Sequence, residues 1–228
     1  MTKEYFKFIK VLRVQKDLSQ QVVADKIGVS RSSYIAFEQG KRDLSLSEAS
    51  KIADVFGITL EEVEGGMAPD LDKYKEMILA CLRSSGSVDG KLPKTKLAKL
   101  LYLADFSWFY DKLTSMSGMQ YRRINFGPVP DMYFRALDEL EYAGKIIVDR
   151  SKNGLYLIGE SDGNQKQKLE LLEAEEKTLI KSINKKWQHK KTEEIVNFTH
   201  NQLPYFLCRE NEIIPYELIT QEEPDKLY

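Results

Sequence analysis

From Lys3 to Phe56 the apolar positions recur at helical spacing and are interrupted at short intervals by capping residues and glycines. Phe8, Ile9 and Leu12 predict the buried face of a helix over about Lys3–Lys16. Ser19 caps a second helix, Gln20–Ile27, which buries Val22 or Val23 together with Ala24 and Ile27. Gly28 supplies the turn, where a positive φ is cheap only for glycine. Ser30 caps a third helix, Arg31–Gln39, ended by Gly40, with Tyr34 and Phe37 on its core side. Ser47 is expected to cap a fourth helix running to Phe56, and Thr59 to open a short fifth over Leu60–Val63. Residues 1–66 therefore read as one five-helix domain. The stretch Glu64–Asp70, with two glycines and a proline, reads as the hinge, and 67–71 as the linker proper.

Residues 72–228 carry a different pattern, mostly helical with a small β-hairpin. A helix near Leu71–Ser84 places Tyr74, Met77, Ile78 and Leu82 on one side, and the following SSGSVDGKLP reads as a loop. Lys94 to about Tyr110 is apolar all round, which marks a buried helix rather than a surface one. Tyr121–Pro130 cannot end as a helix, because a glycine and two prolines fall within four residues. A helix restarts at Asp131 and stops at Gly144, and Ile146–Val148 and Leu155–Ile158 then form a hairpin across an Asn-Gly turn. Gln167–Trp187 reads as one long solvated helix, acidic early and basic late in keeping with its dipole. Thr192–Gln202 adds one more helix, and the tail to Tyr228 is irregular.

Composition changes this picture little: 42% apolar and 30% charged residues in 228 describe an ordinary globular chain. No apolar run approaches the roughly 18 residues of a membrane span. The N-terminus lacks the features of a signal peptide, and two distant cysteines, Cys81 and Cys208, form no CxxC pair. A cytoplasmic, disulfide-free protein is expected. The net charge of −1 hides an asymmetry: residues 1–42 hold nine Lys/Arg against four acids, residues 43–66 one Lys against six.

The basic surplus falls where two short helices meet at a glycine turn and the second opens on a polar, arginine-bearing tip. That is the arrangement that lays a helix in the major groove. Leu12-Arg13, Leu18-Ser-Gln20, Ala24, Ile27-Gly-Val-Ser-Arg31, Phe37-Glu38, Gly40 and Leu60 resemble the Cro/C1-type (XRE family) helix-turn-helix over residues 8–63. Lys41–Ala49 looks like the subgroup common in bacterial antitoxins. The resemblance implies that Gln20 touches a phosphate and that Arg31 and Ser32 reach base edges. Ala36 is limited to a thymine methyl, and Ser30, Ser33, Lys41 and Arg42 complete the DNA-facing set. Arg13 and Glu38 resemble the family's internal ion pair, structural rather than catalytic. So few readers imply a homodimer on a palindromic double-stranded operator.

Nothing in the second half looks catalytic. His189 and His200 stand apart from any cysteine or carboxylate cluster, His200 reads as a hydrogen-bonded structural residue, and no phosphate-binding or nucleophile motif is present. No enzyme activity, metal or cofactor is expected. Two blocks stand out: Lys96-Leu-Ala-Lys-Leu-Leu-Tyr-Leu-Ala-Asp105, and Tyr121 to Gly-Pro-Val-Pro130. They resemble the Panacea (SocA-like) domain, whose hallmark is a KLLYLAD helix followed by a Y…GPVP turn, over roughly residues 72–220. The resemblance implies an antitoxin of a type II system that neutralises a toxin protein by direct binding, and a fused helix-turn-helix implies autorepression. Tyr121, Phe126, Tyr133 and Phe134 either present the turn to a partner or pack it onto the Trp108 helix, and Tyr121, Arg122, Arg123 and Asp131 are the candidate toxin contacts. The alternatives are a ligand-responsive transcriptional regulator and a proteolytic adaptor for a toxin.

Overall fold

Three serine hydroxyls set where the N-terminal helices begin in the computed structural model, which describes residues 5–58, 69–87, 89–150 and 154–228. Helix α1 spans Tyr5–Gln15. Ser19 accepts the Val22 amide at the start of α2, Gln20–Ile27, and Ser30 accepts that of Ser33 at the start of α3, Arg31–Glu38. The fourth helix, α4, is Leu46–Phe56, and its cap is Ser45 rather than Ser47. Ser45 takes the Glu48 amide while the Glu48 carboxylate takes the Ser45 amide, a reciprocal pairing that Ser47 has no Glu or Gln three residues on to make. Gly28 ends α2 with φ +79°, and Lys51 donates to the Ile27 carbonyl left open there. The fifth helix expected over Leu60–Val63 and most of the hinge lie outside the described residues.

The core of this unit is aromatic and aliphatic: Tyr5, Phe8, Ile9, Leu12, Val23, Ala24, Ile27, Tyr34, Phe37, Ile52 and Phe56. Val23, not Val22, takes the inward position, and Val22 stays 40% exposed. Each large side chain so buried contributes about 1.5–3 kcal/mol, enough to hold four helices that are too short to persist alone.

The chain divides into two compact units, Met1–Pro69 and Asp70–Tyr228. In the second, α5 (Leu71–Arg83) is capped by the Asp70 carboxylate. Helix α6 (Lys94–Lys112) is its axis, packed against α5, α8 (Ala174–Trp187), α9 (Thr192–Asn201) and a 3-10 turn at Tyr216–Gln221. Around it lie α7 (Tyr133–Tyr142) and the short α10 (Leu203–Leu207).

The hairpin is one part of a three-stranded antiparallel sheet. Strand β1 (Lys91–Pro93) pairs with β5 (Tyr156–Glu160), which pairs with β4 (Ile146–Arg150). Leu92 sits opposite Ile158, and both are buried. Three residues ending in proline show no alternation, so β1 reads as loop until β5 is beside it. A second pair, β2 (Tyr121–Arg122) and β3 (Val129–Pro130), closes the Gly-Pro-Val-Pro segment into a tight antiparallel turn. The turn residues 151–153 of the larger hairpin, Asn153 among them, lie outside the described residues.

Two further expectations change. The long helix over Gln167–Trp187 starts only at Ala174, because the Glu76 carboxylate accepts the amides of Glu170, Leu171 and Leu172 and holds that segment out of the helix beside α5. Glu173 then caps α8 reciprocally with Glu176. The tail, too, is built into the core. Tyr216 stacks on Phe106 at 4.4 Å, and the Leu227 carbonyl accepts from Gln202 and Ser107.

Candidate DNA-binding and partner-binding sites

Helix α3 is aimed by a polar knot on its inner side. Arg13 on α1 donates to both carboxylate oxygens of Glu38, at 2.6 and 3.1 Å, and also to the Leu18 carbonyl at 2.9 Å. Gln20, the first residue of α2, donates to Glu38 at 2.8 Å. One buried carboxylate thus ties the three helices of the motif together. Burial opposes its ionisation, but the bonds from Arg13 and Gln20 outweigh this and hold the Glu38 carboxyl below its ordinary value.

The outer side of α3 presents Ser30, Arg31 and Ser32 exposed, with Ser33 and Ala36 half-buried behind them. The Ser30 hydroxyl is committed to the cap and to the hydroxyls of Ser32 and Ser33, each 2.9 Å away. Arg31 and Lys41 are exposed at the two ends of the helix and make no ion pair among the described residues. Arg42 is turned instead toward α4, where it pairs with Glu48 at 2.6 Å. This face is a polar tip flanked by two uncommitted cations.

In the second unit both polar residues of the KLLYLAD block are fully buried and each holds one end of the segment 115–130. Asp105 accepts from the Ser117 amide, the Ser117 and Ser115 hydroxyls and the Tyr121 hydroxyl. Burial raises the Asp105 carboxyl, and these donors offset only part of that. Lys99, two turns earlier, donates to the Pro128 carbonyl at 2.9 Å, and burial lowers its pKa to about 7. Gly127 has φ +89°, and a Cβ there would lie 2.7 Å from the Lys99 side chain, so only glycine brings the turn this close to the lysine.

The aromatics of this region divide between the two expected roles. Tyr121 and Tyr133 are core, the first against Tyr102 and Phe106, the second donating to the Lys94 carbonyl. Phe126 and Phe134 face outward, 73% and 51% exposed. Tyr121 is therefore not a surface residue: burial against α6 removes it from the expected contact set. Arg122 pairs with Asp131 at 2.8 Å and donates to the Asn211 carbonyl, which fastens the turn to the tail. Arg123 donates to the Tyr205 carbonyl and lies over that ring, and His200 stacks on the ring at 4.3 Å. His200 is not satisfied as expected, since its Nε2 finds no hydrogen-bond partner among the described residues.

Beside this turn opens a groove of about 500 Å³ that sequence reasoning missed. Phe126, Phe134 and Tyr156 line it with Lys94, and the buried Lys99 reaches it from α6. The Lys94 ammonium lies 5.0 Å from the Phe134 ring centre and 4.4 Å from that of Tyr156. The lysine of the KLLYLAD block was the one available signal, since a lysine on an otherwise apolar helix must be paired or functional.

The fold and polar face of the first unit define a DNA-binding regulator of the helix-turn-helix class. Residues 9–63 match the family described as Helix-turn-helix, and residues 97–204 match the Antitoxin SocA-like, Panacea domain. The chain belongs to the helix-turn-helix family and carries a Panacea domain behind that module. It is 34% identical over 65 residues to the cryptic phage CTXphi transcriptional repressor RstR of Vibrio cholerae, matching 28% of this chain and 59% of that repressor. It is 46% identical over 55 residues to an HTH-type transcriptional regulator of Methanocaldococcus jannaschii, and 45% identical over 56 residues to control protein C.MunI of a Mycoplasma species. Each of these two matches covers 24% of this chain, and 83% and 76% of the relative. No solved structure matches. Both families are regulatory or antitoxin-like rather than enzymatic, and no helix of the described residues is long and apolar enough to cross a membrane.

Proposed function

We propose that this chain is the antitoxin of a type II toxin–antitoxin pair, acting in the cytoplasm, and that it represses its own operon. The observation that carries the reading is the presence of a helix-turn-helix at residues 9–63 and a SocA-like Panacea domain at 97–204 in one chain. The N-terminal domain, 1–66, binds operator DNA, and the C-terminal domain, 72–228, binds a cognate toxin directly. Arg31 and Ser32 read base edges, Ala36 touches at most a thymine methyl, and Ser33 and Lys41 contact the backbone. Gln20 gives one carboxamide N–H to Glu38, which leaves its second N–H, together with the amides at the start of α2, to serve the phosphate. Arg42, paired with Glu48, contributes only by exchanging that partner. A single module with so few readers requires a symmetric dimer, with half-sites about 34 Å apart.

The test is growth of cells expressing the small gene beside this one, with and without this protein. Toxicity that the chain relieves, with a complex that co-purifies, is the expected result. A harmless neighbour overturns the reading. The groove beside Lys99 favours one second reading, a regulator whose DNA binding responds to a small ligand. A harmless neighbour, together with operator affinity that shifts on adding cell metabolites, would select it.

A further inference from the structure

The groove at the Gly-Pro-Val-Pro turn combines three features that an ordinary packed surface lacks. Its rim exposes large apolar rings, Phe126 and Phe134, which stay in water at a cost unless something covers them. Its two basic lining residues are Lys94 and the buried Lys99, and no carboxylate among the described residues lines it. Lys94 rests over two aromatic faces and Lys99 is paired only with a carbonyl, so neither is neutralised by a carboxylate as Lys73 and Arg83 of the same domain are.

The backing of the groove is also fixed in advance. Lys99 pins Pro128, Tyr133 is anchored through its hydroxyl to Lys94, and the Arg122–Asp131 pair braces the turn. A surface held this way loses little freedom on binding. Its apolar rings and uncompensated positive charge are complementary to a segment that offers an aromatic or aliphatic side chain next to a carboxylate.

We propose that this groove receives the toxin, through an acidic segment of the toxin that carries an apolar anchor between Phe126 and Phe134 and sets a carboxylate against Lys94. The proposal rests on the antitoxin reading and assigns the surface that reading leaves open. Arg123, committed to Tyr205, plays no part in it, while Arg122 and Asp131 act as braces for the turn.

The experiment compares the full-length chain with its Lys94→Glu, Phe134→Ala and Tyr142→Asp variants, using the protein encoded by the toxic neighbouring gene as probe. Tyr142 is the most exposed aromatic of α7 and does not line the groove. Lys94→Glu and Phe134→Ala are expected to weaken the purified complex by roughly thirty-fold each, as for an interface anchor, and to abolish growth rescue. Tyr142→Asp is expected to bind as the wild type does, and all three to keep the melting temperature and operator affinity of the wild type. Groove variants that still bind and rescue overturn the groove while leaving the antitoxin reading intact. A wild-type chain that rescues nothing removes both. ATP or inorganic phosphate that raises the melting temperature of the wild type but not of Lys94→Glu overturns the peptide assignment in favour of a small-anion pocket.

Discussion

Arg13 and Glu38 meet in a two-pronged ion pair across α1 and α3, with Gln20 of α2 bonded to the same carboxylate. The pair is nearly closed to water, so losing one partner strands the other. Arg13→Ala is expected to destabilise the N-terminal unit by about 3–5 kcal/mol, measured by thermal or denaturant unfolding. A loss below about 1 kcal/mol, the range of a surface pair, would show that α3 is oriented by its apolar side alone.

The same contact sets an acid limit. Glu38 is held below its ordinary value of 4.5, so its stabilising contribution is complete above that pH and is lost as pH falls through the lower folded value. The N-terminal unit of Glu38→Gln is expected to be less stable than the wild type at pH 7. The gap should narrow as the pH approaches 3, which parallel melts across that range would reveal. A gap that stays constant with pH would contradict the assignment.

At the DNA face the informative change is Arg31→Ala. Arg31 is exposed and carries no ion pair among the described residues, so its removal is expected to leave folding untouched. Specific operator affinity should fall by about 1–3 kcal/mol, with relaxed preference at one base position. Unchanged affinity in a gel-shift or anisotropy titration would remove α3 from the groove.

Lys99 gives a pH dependence of the same sign as that of Glu38, in a neutral-to-alkaline window. Its folded pKa, near 7, lies below the ordinary lysine value of 10.5, so between these limits the unfolded chain takes up a proton that the folded chain refuses. The C-terminal unit should gain stability as pH rises from about 7 to 9.5, before tyrosines ionise. Lys99→Met should flatten that rise when both proteins are melted at a series of pH values. An identical slope in the two proteins would mean that Lys99 keeps its charge in the fold.

Gly127→Ala tests the close approach of the turn to that lysine. Both the left-handed φ and the 2.7 Å clash with Lys99 oppose the added methyl. A loss of about 1–3 kcal/mol is expected. Asp105→Ala should cost more, since it leaves the hydroxyls of Ser115, Ser117 and Tyr121 and the Ser117 amide without their acceptor. Equal or smaller destabilisation by Asp105→Ala would show that this cluster is not what holds the segment 115–121.

What was legible in the chain was local. Capping serines, the Gly28 turn and the helical spacing of Phe8, Ile9, Leu12, Tyr34 and Phe37 all follow from residues close in sequence or from a spacing that a short helix enforces, while the Arg13–Glu38 pair was legible only through the resemblance to the helix-turn-helix family. The strongly apolar α6 announced itself as a buried axis for the same reason. The sequence by itself therefore determined the helical motif, its polar face and the mainly α class of the second half.

Tertiary structure alone decided the rest, because those features depend on partners distant in the chain. Strand β1 exists because β5 lies beside it, 64 or more residues on. Residues 170–172 stay out of the helix because Glu76, more than 90 residues earlier, takes their amides. Tyr121 and Phe126 belong to the same short motif, yet one is core and the other exposed, since only the register of β2 against β3 settles which ring meets α6. Apart from the lysine of the KLLYLAD block, nothing in the sequence marks the groove that joins Lys94 to Phe134 and Tyr156: these three residues converge only when α6, α7 and β5 have packed.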